Sequence, residues 1–168
     1  SAIQLKNKKI LVSSRNNSGI YEFKNDKFIR YLEQLPQLRT RINFMLEDKY
    51  GNLWIATNEQ GLYCYDSNQK LHQYTTINNL ASDKINSLAT DERNNLWIGS
   101  YNGLTKLSYT KELQNVGITN YNKSHGIPNL QIDKLISFQG KIACISKENF
   151  FYFEAAELKK NTTPPLSY

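Results

Sequence analysis

"EDKYGNLWIATNEQGLYCYD", residues 47–66, and "TDERNNLWIGSYNGLTKLSY", residues 90–109, are two copies of one phrase. Asp48 aligns with Asp91, Leu53 with Leu96 and Trp54 with Trp97, each 43 residues apart, while Gly61-Leu62 and Gly103-Leu104 lie 42 apart. A period near 43 made of short strand-like segments predicts a β-propeller, because a four-stranded blade needs about 40–45 residues. Two divergent copies flank the pair. Upstream, "KILVSSRNNSGIYEF" (9–23) sets Leu11 opposite Trp54 and Gly19-Ile20 opposite Gly61-Leu62. Downstream, "KIACISKENFFYF" (141–153) sets Ala143 opposite Trp97 and Asn149-Phe150 opposite Gly103-Leu104.

The expected fold is therefore all-β: about four consecutive four-stranded antiparallel blades, in units of about 2–31, 42–75, 85–121 and 132–154, within a partial β-propeller over 1–155. In the clearest unit, alternation and turn chemistry predict strands Ile42 to Glu47, Leu53 to Thr57, Leu62 to Tyr65 and Leu71 to Thr75. The "DKYG" between the first two is a tight turn, in which the Asp48 carboxylate accepts backbone N–H groups one or two residues on and Gly51 takes positive φ. Asn94 fills the same place in the second copy as the next most tolerant residue for that conformation. Trp54 and Trp97 then open the second strands, where a flat ring can fill the wedge between blades. Asp48, Gly51, Trp54, Gly61, Asp91, Trp97 and Gly103 are read as structural, since a catalytic carboxylate has no reason to recur at one turn in each repeat.

Composition agrees with a folded β-rich chain. Of 168 residues 39% are hydrophobic, with 11 Tyr, 7 Phe and 2 Trp, which separates the chain from the disordered class. The net charge of +6 could suit an anionic partner, but the basic residues are scattered and no stripe for nucleic acid is formed. Cys64 and Cys144 supply neither a disulfide framework nor the four ligands of a zinc site, and read as small buried strand residues. No run of 18 or more apolar residues is present, so no membrane contact by this segment is expected.

Catalytic chemistry is not encoded in a recognisable phrase. His72 falls on an outer strand beside Gln73, where a solvated position is expected, and His125, in "KSHGIP", falls in a loop between blades. Neither has a Ser, Cys or Asp partner in a recognisable catalytic phrase, and neither a phosphate loop nor a metal-ligand pair occurs, so an enzyme, a cofactor and a metal site are not expected. Topology does define a candidate binding face. In an up-and-down blade the Asp turns share one end, while the second-to-third loops and the blade connectors share the other. That second end carries Arg15, Asn16 and Asn17, then Asn58, Glu59 and Gln60, then Tyr101 and Asn102, then Lys147, Glu148 and Asn149, with Arg39, Arg41, Ser124 and His125 from the connectors. Of these, Arg15, Asn16, Asn58, Glu59, Tyr101, Asn102, His125 and Lys147 are the candidate ligand contacts, because amides, charges and an aromatic ring on rigid loops can bond and stack a sugar.

The pattern acidic-Asp-x-x-Gly-x-Leu-Trp-Ile-x-Thr, then Gly-Leu and an aromatic-Asp pair, resembles the two-component regulator propeller repeat. It is nearly complete at 47–66; at 90–109 Asn94 replaces Gly and Leu107-Ser108 replaces the aromatic-Asp pair. "YNKSHGIPNLQI" (121–132) and "YTTINNLASDKI" (74–85) resemble the family's connectors. The resemblance implies a larger propeller in the periplasmic sensor region of a bacterial hybrid two-component system, ahead of a β-sandwich, a membrane helix and a histidine kinase. It also implies an oligosaccharide ligand, and makes 156–168 an exit segment toward a missing downstream domain. The alternative is a protein-interaction scaffold without a small ligand. In either case a four-unit arc leaves apolar blade faces without neighbours, from which self-association, a homodimer in its simplest form, is expected.

Overall fold

The computed structural model describes residues 1–13, 16, 19–122, 125–127, 131–147 and 149–156. They form four antiparallel sheets in chain order. Blade 1 holds β1 (Ala2–Gln4), β2 (Ile10–Ser13), β3 (Ile20–Lys24) and β4 (Lys27–Tyr31). Blade 2 holds β5 (Ile42–Glu47), β6 (Leu53–Thr57), β7 (Leu62–Tyr65) and β8 (Leu71–Tyr74). Blade 3 holds β9 (Ile85–Thr90), β10 (Leu96–Ser100), β11 (Gly103–Ser108) and β12 (Gly117–Tyr121). Blade 4 holds β13 (Lys134–Phe138), β14 (Lys141–Ile145) and β15 (Phe150–Glu154), three strands among the described residues. Every blade is a simple meander, and the first strands neighbour one another in the order β1, β5, β9, β13.

Period-2 alternation turns each blade into a two-sided wedge. Along β6, Leu53 and Ile55 pack toward blade 1, whereas Trp54 and Ala56 pack toward blade 3. Along β10, Leu96 and Ile98 face blade 2 and Trp97 faces blade 4. Both strands are consequently buried at all five positions, as expected for strands covered on both faces. Three hydrophobic clusters result, one at each blade-to-blade junction. Burying apolar area there, at roughly 25 cal/mol per Å², is what joins the blades.

The two ends of the arc lack that cover. On blade 1 the outward residues include Phe23, Phe28 and Ile10, with Phe28 64% exposed. On blade 4 the face opposite Leu135, Ile142 and Cys144 carries Ile136, Phe138, Phe150 and Tyr152, with Phe150 81% exposed.

Two details differ from the expectation in blade 2. Its last strand stops at Tyr74, because Thr75 leaves the sheet to cap the 3-10 turn Thr76–Asn78, its hydroxyl accepting the Ile77 N–H. The tryptophans occupy the second position of β6 and β10, which is what aims them at the following blade while the leading leucines point back.

Candidate functional site

The repeated acid is a hydrogen-bond hub. Asp48 Oδ1 accepts the N–H groups of Tyr50 (2.8 Å) and Asn52 (3.0 Å), and Oδ2 accepts Asn52 Nδ2 (2.9 Å) and Trp54 Nε1 (3.0 Å). Asp91 repeats this with Arg93, Asn95 and Trp97 at 2.8–3.0 Å. The bonds thus run two residues on, within the expectation, and also four on, because Gly51 (φ +83°) and Asn94 (φ +63°) bend the chain so that the fourth N–H points back at the acid. The sixth residue on is the Trp, whose otherwise buried N–H is satisfied.

The same arrangement occurs a third time, where the repeat alignment did not reveal it. Asp66 accepts the N–H groups of Asn68 (2.9 Å) and Lys70 (2.8 Å), and its Oδ2 lies 2.8 Å from Nε2 of His72, again six residues on. His72 is therefore half-buried and paired, a correction to its expected solvated position: the β7–β8 turn folds the acid over it. Burial pushes the Asp66 carboxyl up, but the His72 bond and the two N–H donors outweigh it and hold the group below its ordinary range. The signal in the sequence was the spacing Asp-x5-aromatic, shared by Asp48 with Trp54, Asp91 with Trp97 and Asp66 with His72.

At the opposite end of the blades, each second-to-third loop is tied to the connector that enters its own blade. Asn58 N–H donates to the Arg41 carbonyl (3.0 Å) and Tyr101 N–H to the Lys84 carbonyl (3.0 Å). Adjacent inner strands are stitched at the same level: Asn43 Nδ2 donates to the Ile85 carbonyl (2.8 Å) and Asn86 Nδ2 to the Ile132 carbonyl (2.9 Å). This places Arg41, Asn58, Lys84 and Tyr101 on one rim. The Tyr101 ring is 52% exposed and lies 4.8 Å from Lys84 Nζ. Asn102 and Glu59 are exposed beside them, and Asn58 Nδ2 reaches Glu59 (3.1 Å).

Other candidates are engaged differently. His125 lies 3.0 Å from Asn122 Oδ1 and packs edge-on against Tyr121, both within its own connector. Lys147 is exposed at the blade 4 loop and Asn16 is exposed at the blade 1 loop. Arg15, Asn17, Ser124 and Glu148 lie outside the described residues. Gln60 accepts the Tyr63 hydroxyl (3.0 Å) and supports the loop from beneath. The pairings of Arg41 with Asn58 and of Lys84 with Tyr101 were not foreseen as units; the residue before each Ile-Asn pair, 43 apart, was the available signal.

A cleft in blade 1, lined by residues such as Gly19, Arg30, Leu35 and Arg39, offers about 10 Å³, room for one water. Among the described residues no three His, Cys, Asp or Glu side chains gather to hold a metal, and no helix is long and apolar enough to cross a membrane.

Blades of this topology, the middle two each wedged by a Trp and opened by an Asp turn, define a β-propeller segment. The family profile of the two-component regulator propeller matches residues 37–59 and 79–102. No curated protein sequence matches the chain. Among solved structures, the extracellular domain assigned to the hybrid two-component system BT3049 from B. thetaiotaomicron is similar at 22% identity and TM-score 0.67, over 96% of this chain and 23% of that one. The corresponding domain assigned to BT4673 from the same organism is similar at 18% identity and TM-score 0.69, over 95% of this chain and 21% of that one. Virginiamycin B lyase from Staphylococcus aureus is similar at 13% identity and TM-score 0.62, over 91% and 54%. The chain thus spans less than a quarter of the two sensor domains, and these likenesses establish a shared propeller fold.

Proposed function

We propose that this chain is the propeller part, residues 1–155, of a periplasmic two-component sensor, and that its rim binds an oligosaccharide whose arrival is passed to a downstream histidine kinase. The observation that carries the reading is the exposed Tyr101 ring, with the Lys84 ammonium over it, on a rim that also carries Asn58, Asn102 and Arg41. A flat exposed ring beside amides and cations can stack a pyranose and bond its hydroxyls. The family of the repeats and the extracellular setting of the two sensor domains support the sensor role. In this reading 156–168 leads toward the next domain.

The rim acts by binding rather than by catalysis. Cys64 and Cys144 are fully buried, and burial pushes both thiols up, Cys144 to about 12, away from the thiolate a nucleophile requires. His72 and His125 are committed to Asp66 and to their own connector.

A second reading, a protein-binding scaffold, is favoured by the apolar outward faces of blades 1 and 4; the same faces support self-association of this segment. Titration calorimetry of the full-length protein against a panel of oligosaccharides tests the first reading. Binding is expected, and Tyr101→Ala and Asn102→Ala should weaken it with the melting temperature nearly unchanged, since both are exposed loop residues. Uniformly null titrations would leave the scaffold.

A further inference from the structure

Arg41 and Lys84 occupy the same position in successive blades: each immediately precedes the isoleucine that starts the inner strand, and each offers its carbonyl to the first residue of its own blade's loop, Asn58 or Tyr101. The 2.8 Å bond from Asn43 Nδ2 to the Ile85 carbonyl joins the two inner strands directly beneath them. Two exposed cations therefore stand at equivalent places on one rim, each at the entry to an inner strand of adjacent blades.

Neither is neutralised. Among the described residues neither Arg41 nor Lys84 forms an ion pair. Asp83, next to Lys84 in sequence, accepts the N–H of Thr76 (2.7 Å) and its hydroxyl (3.0 Å), and Glu59, on the blade 2 loop, accepts Asn58 Nδ2. Lys84 is held over the Tyr101 ring instead, so the ring that could stack a sugar on its other face already carries a charge. An anion lying between two exposed cations of one rim is attracted by both.

Resting on the oligosaccharide reading, we infer that the ligand is an acidic oligosaccharide, one whose sugar carries a carboxylate or a sulfate ester, and that Arg41 and Lys84 bind this group while Tyr101 stacks the ring that bears it. Arg supplies a planar fork for an oxyanion and Lys a point charge, both through charge-assisted bonds.

The test uses the full-length protein and matched probes: an oligogalacturonide with its methyl ester, and a sulfated oligosaccharide with its desulfated form. At least one acidic member should bind, with its neutral counterpart about tenfold or more weaker, as loss of a charge-assisted bond implies. Arg41→Gln and Lys84→Gln should each weaken the acidic probe by about tenfold, Lys84→Arg should retain most of the affinity, and added salt should weaken binding. Tight binding of neutral probes, unaffected by either Gln substitution, would overturn this inference and leave oligosaccharide sensing intact. An acidic probe whose affinity ignores both substitutions would overturn it as well, and failure of every oligosaccharide to bind would remove the underlying reading with it.

Discussion

The hydroxyl of Tyr109 donates to Asp48 Oδ2 across 2.9 Å, joining residues 61 apart in sequence and in different blades. Asp48 thereby holds five donors, four from its own turn and one from blade 3. Tyr109 in turn accepts Asn94 Nδ2 (3.1 Å), and Asn94 Oδ1 accepts the Lys49 N–H (3.3 Å). The turn that anchors Trp54 is thus also the seam between blades 2 and 3. Burial, reinforced by the Asp48 charge, pushes the Tyr109 hydroxyl well above its ordinary range, so it stays a donor at any physiological pH.

Tyr109→Phe keeps the ring, which meets Trp54 at 5.0 Å, and removes only the hydroxyl. A hydrogen bond to a carboxylate contributes about 1.5–3 kcal/mol, and urea unfolding should show a loss of that size. A double-mutant cycle with Asp48→Asn should return a coupling above about 0.5 kcal/mol, as for residues in contact; additive losses would show that the seam rests on apolar packing alone.

Gly61 and Gly51 both have positive φ but different surroundings. A Cβ on Gly61 would collide with the Tyr74 carbonyl, whereas one on Gly51 meets nothing within 4 Å. Gly51→Ala should therefore cost about 1 kcal/mol, from backbone strain alone. Gly61→Ala should cost several times more, because backbone must move. Equal losses in thermal or urea unfolding would show that the β6–β7 loop can yield.

Asp66 makes stability depend on acid. Its folded carboxyl gives up its proton more readily than the unfolded group at 3.8, so the stabilisation is fully present above about 3.8 and is lost as pH falls through the lower folded value. Unfolding measured across this window should show a steeper acid decline in the native protein than in Asp66→Asn. Parallel curves for the two proteins would contradict the pairing with His72.

The uncovered blade faces should make this segment associate. Sedimentation over about a hundredfold range of concentration is expected to show a monomer–dimer equilibrium, weakened by Phe150→Ser, which removes apolar area from the blade 4 face. A strict monomer throughout would show that the faces tolerate water.

Much of this architecture was legible in the 43-residue period. Glycines and Asn94 at fixed offsets specify tight turns, and alternation specifies strands buried on both sides, because both depend on residues close in sequence. Even the Asp-to-Trp bond is local, six residues in one turn. The sequence alone also placed Tyr101 and Asn58 at the same end of the blades, since the connections of a meander must alternate. The tertiary structure decided what meets across blades, such as Tyr109 on Asp48 and Asn43 on the Ile85 carbonyl. No periodicity reports such contacts, because they depend on how far each blade is rotated against the next, and that angle is set by the packing of Trp54, Leu88 and Leu107 in the wedge between them.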